Sequence, residues 1–193
     1  MKKTVDNTVT EYQWAGDLLL SEKTDGRIIW YCYDSQANLI SVTIRGITYF
    51  YVRNVQGDII ALVDADGKVV VKYTYDSWGK VVAVTGELAD TVGVQNPFRY
   101  KGYYYDNETG MYYLKSRYYD AEIKRFICMD KYFMTNRGMN KSNMLVYCEN
   151  NPINRVDMFG TCWYDAKGNW RHDNWEYKLS LIHISEPTRH AQI

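Results

Sequence analysis

Short apolar and aromatic runs alternate with clusters of Asp, Asn, Gly and Ser along the first 85 residues. Such runs between turn-forming residues are typical of β-strands joined in hairpins. Residues 8–30 predict one strand pair, with its turn at 15–17 or, better, at 24–27, where Asp-Gly tolerates the positive φ angles of a tight turn. The clearest predicted hairpin places the turn DADG at 64–67 between IIALV and KVVVKYTY. The pattern therefore predicts a mainly β fold of consecutive antiparallel hairpins.

One short pattern repeats in this part of the chain. The sequences YCYD, YFYVRN and YTYD end at Asp34, Asn54 and Asp76, which are 20 and then 22 residues apart. This regularity predicts a repeat architecture, in which each hairpin needs its neighbours for stability. Because alternate strand residues point to one face, the aromatic pairs are predicted to share a face and to stack on the next repeat. The closing Asp or Asn is predicted to cap a turn, with the following Gly or Asn in the left-handed conformation.

The pattern changes at residues 83–95, which predict a connection to a second region. That region contains the runs YYYD and RYYD, separated by the turn-forming sequence NETG. Residues 118–127 predict a strand, a turn and a strand. Residues 138–149 predict one short helical segment, which ends before the Asn-Asn-Pro at 150–152. Residues 161–170 predict one more hairpin-like unit.

Residues 96–160 resemble the RHS repeat-associated core, the segment that closes an array of YD repeats in bacterial polymorphic toxins. The resemblance runs in order from NPFRYKGYYYD through RYYD and RF to NNPINRVD, and the repeated unit before it resembles the YD repeat. It implies antiparallel hairpins that form a curved, spiralling sheet, part of a shell. The implied domains are YD/RHS repeats at 1–95, the core at 96–160 and the start of a variable C-terminal region at 161–178.

The resemblance implies a structural function rather than an enzymatic one. The chain would be the end of an encapsulating shell that houses and presents a C-terminal effector, which is missing here and is the implied partner. The full-length parent is then expected to be secreted or at the cell surface. Two alternatives stay open. One is a core that cleaves its own chain with aspartates to release the effector. The other is an adhesion segment whose flat aromatic rings stack on a glycan or another cell-surface ligand.

Asp130 and Asp157 are the candidate catalytic residues for self-cleavage. Some RHS cores cleave themselves near the end of the core with aspartates in paired Asp-Pro-x-Gly motifs. This chain has DKYF at 130–133 and DMFG at 157–160, so both aspartates are present, but both prolines and the first glycine are not. Two carboxyl groups held together favour one shared proton, which lets one act as acid and the other as base. The other interpretation is that both aspartates cap turns.

Arg117 and Arg125 flank the second tyrosine–aspartate run. One interpretation makes them partners that orient the two candidate aspartates. The other interpretation makes them strand residues, paired at the surface or across strands with Asp120 or Glu122.

Composition narrows the function classes. Lys plus Arg and Asp plus Glu both number 23, so the net charge is zero. This balance indicates neither nucleic-acid binding nor a membrane-surface patch. The sequence contains no apolar run of about 18 residues, so it predicts no membrane-spanning helix. The first residues, MKKTVDNTVTEYQ, lack the apolar segment of a signal peptide.

The cysteines and the absence of cofactor motifs predict neither a metal nor a cofactor. The four cysteines are not spaced as metal ligands; they are Cys32, Cys128, Cys148 and Cys162. They predict free thiols, although a disulfide between Cys128 and Cys148 stays open for an oxidising compartment. The sequence also lacks a phosphate-binding loop, a dinucleotide-binding glycine fingerprint and a G-x-S-x-G motif.

Residues 179–193 are expected not to be native sequence. The run LSLIHISEPTR at 179–189 resembles a translated sequencing adapter, and such segments carry no information on the fold. We therefore expect the native gene to continue past residue 178. Without this tail His172 is the remaining histidine, so catalysis by paired histidines has no residues to use.

Overall fold

The structure is a computed structural model that describes residues 1–130, 143–161, 163–165 and 170–171. Its largest part is a sheet of nine strands, each hydrogen-bonded to the next along the chain. The strands are β1 (Lys2–Val5), β2 (Thr8–Ala15), β3 (Leu18–Thr24), β4 (Arg27–Tyr33), β5 (Leu39–Ile44), β6 (Ile47–Arg53), β7 (Ile59–Val63), β8 (Val69–Tyr75) and β9 (Val81–Thr85). All neighbours are antiparallel, which confirms the predicted series of hairpins.

Two smaller sheets follow. The first contains β10 (Tyr104–Asp106), β11 (Met111–Tyr113), β12 (Tyr118–Asp120) and β13 (Arg125–Phe126), and the second contains β14 (Arg155–Val156), β15 (Trp163–Asp165) and β16 (Trp170–Arg171). Within the described residues, helical structure is limited to a π-helical turn at Ala89–Gly93, which continues as α-helix through residues 94–95, and 3₁₀ turns at Tyr100–Gly102 and Cys148–Asn150. The mainly β fold class is therefore confirmed.

Four five-residue turns in the large sheet are capped by their first residue. The side chain of Asp34 accepts hydrogen bonds from the backbone N–H groups of the second and fourth residues after it, both at 2.8 Å. Asn54, Asp64 and Asp76 do the same at 2.8–3.0 Å. The predicted capping is confirmed. In the first turn, however, Ala37 rather than Asn38 has the positive φ. The left-handed position is the third residue after the cap, where the other three turns have Gly57, Gly67 and Gly79.

The aromatic pairs of the repeats share the buried face of the large sheet. Tyr49 and Tyr51 both pack into one core cluster, whereas Phe50 between them is 42% exposed on the opposite face. Tyrosines of successive repeats do not sit side by side, because an aliphatic strand separates them. Tyr49 faces Val42 on β5, and Tyr51 faces Leu62 on β7. The predicted stacking of one repeat on the next is therefore replaced by packing of rings against aliphatic side chains.

The tyrosine hydroxyl groups on this face reach polar atoms across the sheet. Tyr33 Oη donates to the backbone carbonyl of Leu19 at 2.9 Å, and Tyr75 Oη donates to that of Ile59 at 2.7 Å. A buried phenol needs such a partner, since an unpaired hydroxyl would lose its hydration without compensation. The buried face is thus apolar in its rings and hydrogen-bonded at their tips.

Residues 8–30 form more strands than the single pair predicted. Both alternative turns occur: Gly16 has φ +57°, and Asp25 and Gly26 have φ +49° and +78°. An earlier turn at Asp6 and Asn7, also with positive φ, adds β1 at the edge of the sheet. The prediction was wrong here because it treated the two turn signals as alternatives.

The predicted helix at 138–149 is not seen in the part that is described; its first residues, 138–142, lie outside the described ranges. Residues 143–147 form a turn and an isolated bridge between Val146 and Arg125. The side chain of Asn143 accepts the N–H of Leu145 at 3.1 Å, and the carbonyl of Leu145 accepts the N–H of Phe126 at 2.9 Å. These hydrogen bonds compete with those of a helix.

The segment from Asn96 to Tyr104 covers the tyrosine face of the large sheet. Asn96 is fully buried; its amide oxygen accepts from Tyr51 Oη at 2.7 Å and its amide nitrogen donates to Tyr73 Oη at 3.2 Å. The ring of Phe98 packs edge-on against Tyr31, with centroids 5.0 Å apart. These contacts attach the second region to the sheet through its buried face.

Three tyrosines of the core also bind one turn of the repeats. The hydroxyl groups of Tyr100, Tyr119 and Tyr112 donate to the carbonyls of three consecutive turn residues, at 3.1, 2.8 and 2.7 Å. The acceptors are Ser77, Trp78 and Gly79. The turn capped by Asp76 therefore connects the sheet of repeats to the core through these three hydrogen bonds.

Candidate functional site

Arg117 brings both candidate aspartates together. It lies immediately before β12 and is buried, with 7% of its side chain exposed. Its Nη2 atom is 3.0 Å from Asp130 Oδ2 and 3.6 Å from Asp157 Oδ2. The two aspartates are 15% and 5% exposed at their side chains. The structure therefore supports the interpretation in which Arg117 orients them.

The rest of the Arg117 guanidinium is also engaged. Nη1 donates to the carbonyl of Met144 at 2.9 Å, and Nε donates to the carbonyl of Gly160. The guanidinium plane lies over the ring of Phe126, 3.6 Å from its centroid. A planar fork with several donors suits this use, since it satisfies carboxylates and carbonyls at once.

Asp157 begins a turn that shares two features with the turns of the repeats. Its Oδ1 atom accepts the N–H of Thr161, four residues later, at 3.1 Å, and Gly160 has φ +67°. The backbone N–H of Asp157 donates to Tyr103 Oη at 3.2 Å. The turn-capping interpretation of Asp157 is thus also supported.

The peptide bond between Gly160 and Thr161 is held on both sides by side chains. Its carbonyl accepts from Arg117 Nε and from Ser116 Oγ, the latter at 2.9 Å, while its N–H donates to Asp157. A Cβ atom on Gly160 would lie only 2.7 Å from Ser116 Oγ and 2.9 Å from the carbonyl oxygen of Leu114. Glycine is therefore needed here both for its φ angle and for this close approach.

Arg125 does not join this cluster in the same way. It is exposed, and strand pairing places it opposite Asp120. This is the register that the cross-strand interpretation requires, and the ion pair itself stays a prediction. Asp120 caps its own turn by accepting the N–H of Glu122 at 2.8 Å, and Glu122 pairs with Lys80 at 2.8 Å.

Sequence reasoning missed Ser116 and the buried carboxylate of Glu22. Ser116 carries no motif, and only the fold places it on the carbonyl of Gly160. Glu22 is 9% exposed; its two oxygens accept from Tyr31 Oη at 2.6 Å and Tyr104 Oη at 3.1 Å. Burial raises the pKa of Glu22 above its usual value because it penalises the charged form. An acidic residue in the apolar run LLLSEK was the available signal.

The part of the chain that the structure describes offers few other candidate functional sites. No group of three or more His, Cys, Asp or Glu residues there is placed to hold a metal ion, and no helix there is long and apolar enough to cross a membrane. Cys32 and Cys128 are exposed free thiols and Cys148 is a buried one. Cys162, His172 and residues 179–193 lie outside the described ranges.

Most rings that suggested a glycan site serve the core instead. Tyr112, Tyr119 and Tyr147 are fully buried in one cluster. Trp30 and Phe50 are 49% and 42% exposed on the outer face of the large sheet. Glycan binding remains a prediction that would have to use such exposed rings.

Comparison with known proteins identifies the family. The sequence model of the Teneurin YD-shell matches residues 20–153. The tRNA3(Ser)-specific nuclease WapA of Bacillus spizizenii and the tRNA(Glu)-specific nuclease WapA of Bacillus subtilis subsp. natto are each 38% identical over 164 residues. These matches cover 83% of this chain but only 7% of each relative.

A solved structure has the same fold. The crystal structure of TcdB2-TccC3-Cdc42 matches with a TM-score of 0.64 at 17% identity, over 83% of this chain and 8% of that one. The family match covers most of the repeats and most of the core, and the sheet of consecutive antiparallel strands with its attached core agrees with it. The chain therefore belongs to the Teneurin YD-shell family and is a shell-like segment of the RHS type.

Proposed function

We propose that this chain is the terminal part of a protein shell that houses and presents a C-terminal effector. The observation that carries the proposal is the segment from Asn96 to Tyr104, which lies across the tyrosine face of the repeats and ends the meander. A repeat sheet needs such a cap, because an uncovered apolar face would associate with other chains. On this proposal the chain as a whole does not catalyse a reaction on other molecules.

The names of the relatives support a separate effector. One WapA is named for tRNA3(Ser) and another for tRNA(Glu), yet both match this chain at the same identity over the same length. A difference in specificity with an equal match favours a nuclease activity located outside the matched segment. The chain spans about 7% of these relatives. The parent of this chain is accordingly proposed to be a secreted or cell-surface toxin, with its own effector as partner.

Protease protection tests this function. The full-length parent would be digested with trypsin beside its isolated effector region, and the surviving fragments would be identified by mass spectrometry. We expect the effector region to be digested at least tenfold more slowly in the parent. Asn96→Leu, which removes the hydrogen bonds to Tyr51 and Tyr73, should reduce this protection, and Gln36→Ala in an exposed turn is the matched control. Equal digestion of the parent and the isolated region would reject the proposal.

We propose self-cleavage between Gly160 and Thr161 as a second candidate function. Side-chain contacts to this one peptide bond favour it. The carbonyl oxygen accepts hydrogen bonds from the guanidinium of Arg117 and the hydroxyl of Ser116, and the nitrogen lies 3.1 Å from Asp157 Oδ1. Donors on a carbonyl oxygen stabilise the negative charge that develops when water attacks the carbon. A carboxyl group within hydrogen-bond reach of the nitrogen can protonate the departing amine.

The proposed step is a hydrolysis. At the start of the step Asp130 is ionised and Asp157 carries the proton that the pair shares. Water forms a bond to the carbonyl carbon of Gly160 and gives a proton to Asp130. The bond to the nitrogen of Thr161 breaks, and Asp157 supplies the proton that this nitrogen takes up. Arg117 and Ser116 hold the oxygen throughout.

Intact mass measurement tests the cleavage. A chain extended through its native C-terminal region should yield a fragment that begins at Thr161. Asp157→Asn and Asp130→Asn should each abolish cleavage, and Ser116→Ala should slow it. Asp120→Asn, which changes the cap of a neighbouring turn, should still cleave. A wild-type chain that stays whole during prolonged incubation while giving a cooperative thermal transition would reject self-cleavage and leave the shell proposal unaffected.

A further inference from the structure

A cavity of about 340 Å³ lies between the large sheet and the core. Its walls come from the turn between β2 and β3, from the repeat turns that follow β4 and β6, and from core residues near 101–104, 113–115 and 156–158. Its size falls at the lower end of the range of about 300–1,000 Å³ for small-molecule sites. The cavity is separate from the Gly160–Thr161 peptide bond, which is not part of its lining.

The walls are mainly apolar. Leu19, Leu39 and Leu114 line the cavity and are buried, and Phe98 adds an aromatic ring. Trp14 also lines it, and its buried indole N–H has no hydrogen-bond partner among the described residues. An apolar wall of this kind suits a hydrocarbon body, which gains free energy when it leaves water.

The charges on the walls are unbalanced. Arg53, Lys101 and Lys115 line the cavity, against the single acidic residue Asp17. Asp17 lies 3.6 Å from Lys115, but both side chains are exposed to solvent, so water screens this pair and Lys115 keeps most of its capacity to bind an anion. Burial lowers the pKa of Lys101, even though the nearby charge of Asp58 acts in the opposite direction. The carboxylate of Asp58 therefore offsets only part of the cost of burying the positive charge of Lys101.

We propose that this cavity binds a small amphipathic carboxylate, an apolar body that carries one negative charge. The body fills the space among the leucines and Phe98, and the carboxylate pairs with Lys101 and Lys115 at the rim. A carboxylate accepts charge-assisted hydrogen bonds from ammonium groups, which neither an alcohol nor an amine of the same length can replace. The side chains that would bind the carboxylate are not those that hold the Gly160–Thr161 peptide bond.

Calorimetric titration with three matched probes tests the proposal. Decanoate, decanol and decylamine share one hydrocarbon chain and differ in charge. We expect decanoate to bind at least tenfold more tightly than decanol, and decylamine to bind more weakly than both. Equal affinities for decanoate and decanol, or no heat from decanoate up to its solubility limit, would overturn the proposal.

Variants assign the binding to this cavity. Lys101→Met with Lys115→Met should weaken decanoate about tenfold and leave decanol unchanged. Lys68→Met removes an exposed lysine that pairs with Glu87 and should change neither. If the double variant unfolds, Lys115→Met alone, at a more exposed position, is measured instead. A blocked peptide that ends in a leucine carboxylate is the remaining probe; binding of that peptide without binding of decanoate would reject a small-molecule site.

Discussion

The buried charge cluster around Arg117 makes a strong prediction for stability. In Arg117→Met, Asp130 and Asp157 lose a cation that lies 3.0 and 3.6 Å from their oxygens. The carbonyls of Met144 and Gly160 lose a donor. Breaking a buried ion pair by removal of one partner costs about 3–5 kcal/mol. Since a domain is stable by only about 5–15 kcal/mol, the variant should lose a large part of its free energy of unfolding.

The loss should be concentrated in the core. Native-state hydrogen exchange would show faster exchange at the N–H of Thr161, which is bonded to Asp157, and at that of Asp130, which is bonded to the carbonyl of Met144. Exchange of the amides in the middle of the large sheet should change far less, because local opening does not require the whole fold to unfold. Urea unfolding gives the total change in free energy.

Two further variants make the reasoning refutable. Arg125→Met removes an exposed arginine eight residues away and should change stability by less than about 0.5 kcal/mol. Arg117→Met combined with Asp130→Asn and Asp157→Asn should recover part of the loss, because no uncompensated charge stays buried. A loss below about 1 kcal/mol in Arg117→Met alone would show that the cluster is not the stabilising ion network described here.

Two other predictions concern the repeats. Asp64→Ala removes the side chain that accepts the N–H groups of residues 66 and 68 and should cost about 1 kcal/mol in urea unfolding, whereas Asp66→Ala in the same turn should cost less; equal losses would contradict the capping role. Glu22→Gln tests the raised pKa of Glu22. Because the folded state holds this proton more tightly than the unfolded state, wild-type stability relative to the variant should fall as the pH rises from the unfolded pKa through the folded one. Urea midpoints measured from pH 4 to pH 7 would show this, and a constant difference between the two proteins would contradict it.

Local signals in the sequence were enough to predict the turns of the repeats. Capping by Asp34, Asn54 and Asp76 uses only the backbone N–H groups two and four residues further along the chain, so the local sequence pattern predicts it directly. The arrangement of the tyrosines needed more. An aliphatic strand separates Tyr49 from the tyrosines of the next repeat, and that separation depends on strand register, which a list of aromatic positions does not contain.

The candidate site was only partly predictable for the same reason. The motif identifies Asp130 and Asp157 as candidates, but they are 27 positions apart, and the sequence carries no signal of how closely they approach. Arg117 was named as a partner and is one. Ser116 was missed because its role depends on the approach of Gly160, a contact between residues 44 positions apart.

The tyrosine-rich face has a further consequence for how this protein responds to alkali. Burial raises the pKa of Tyr33 to about 12, and it raises the pKa values of Tyr31 and Tyr51 well above their usual range. In an unfolded chain these phenols would ionise near about pH 10, so the folded state loses stability as the pH rises above that value. The near-ultraviolet absorbance that these three tyrosines give on ionisation should therefore appear together with unfolding rather than before it. The absorbance of these tyrosines therefore reports whether the sheet of repeats is folded.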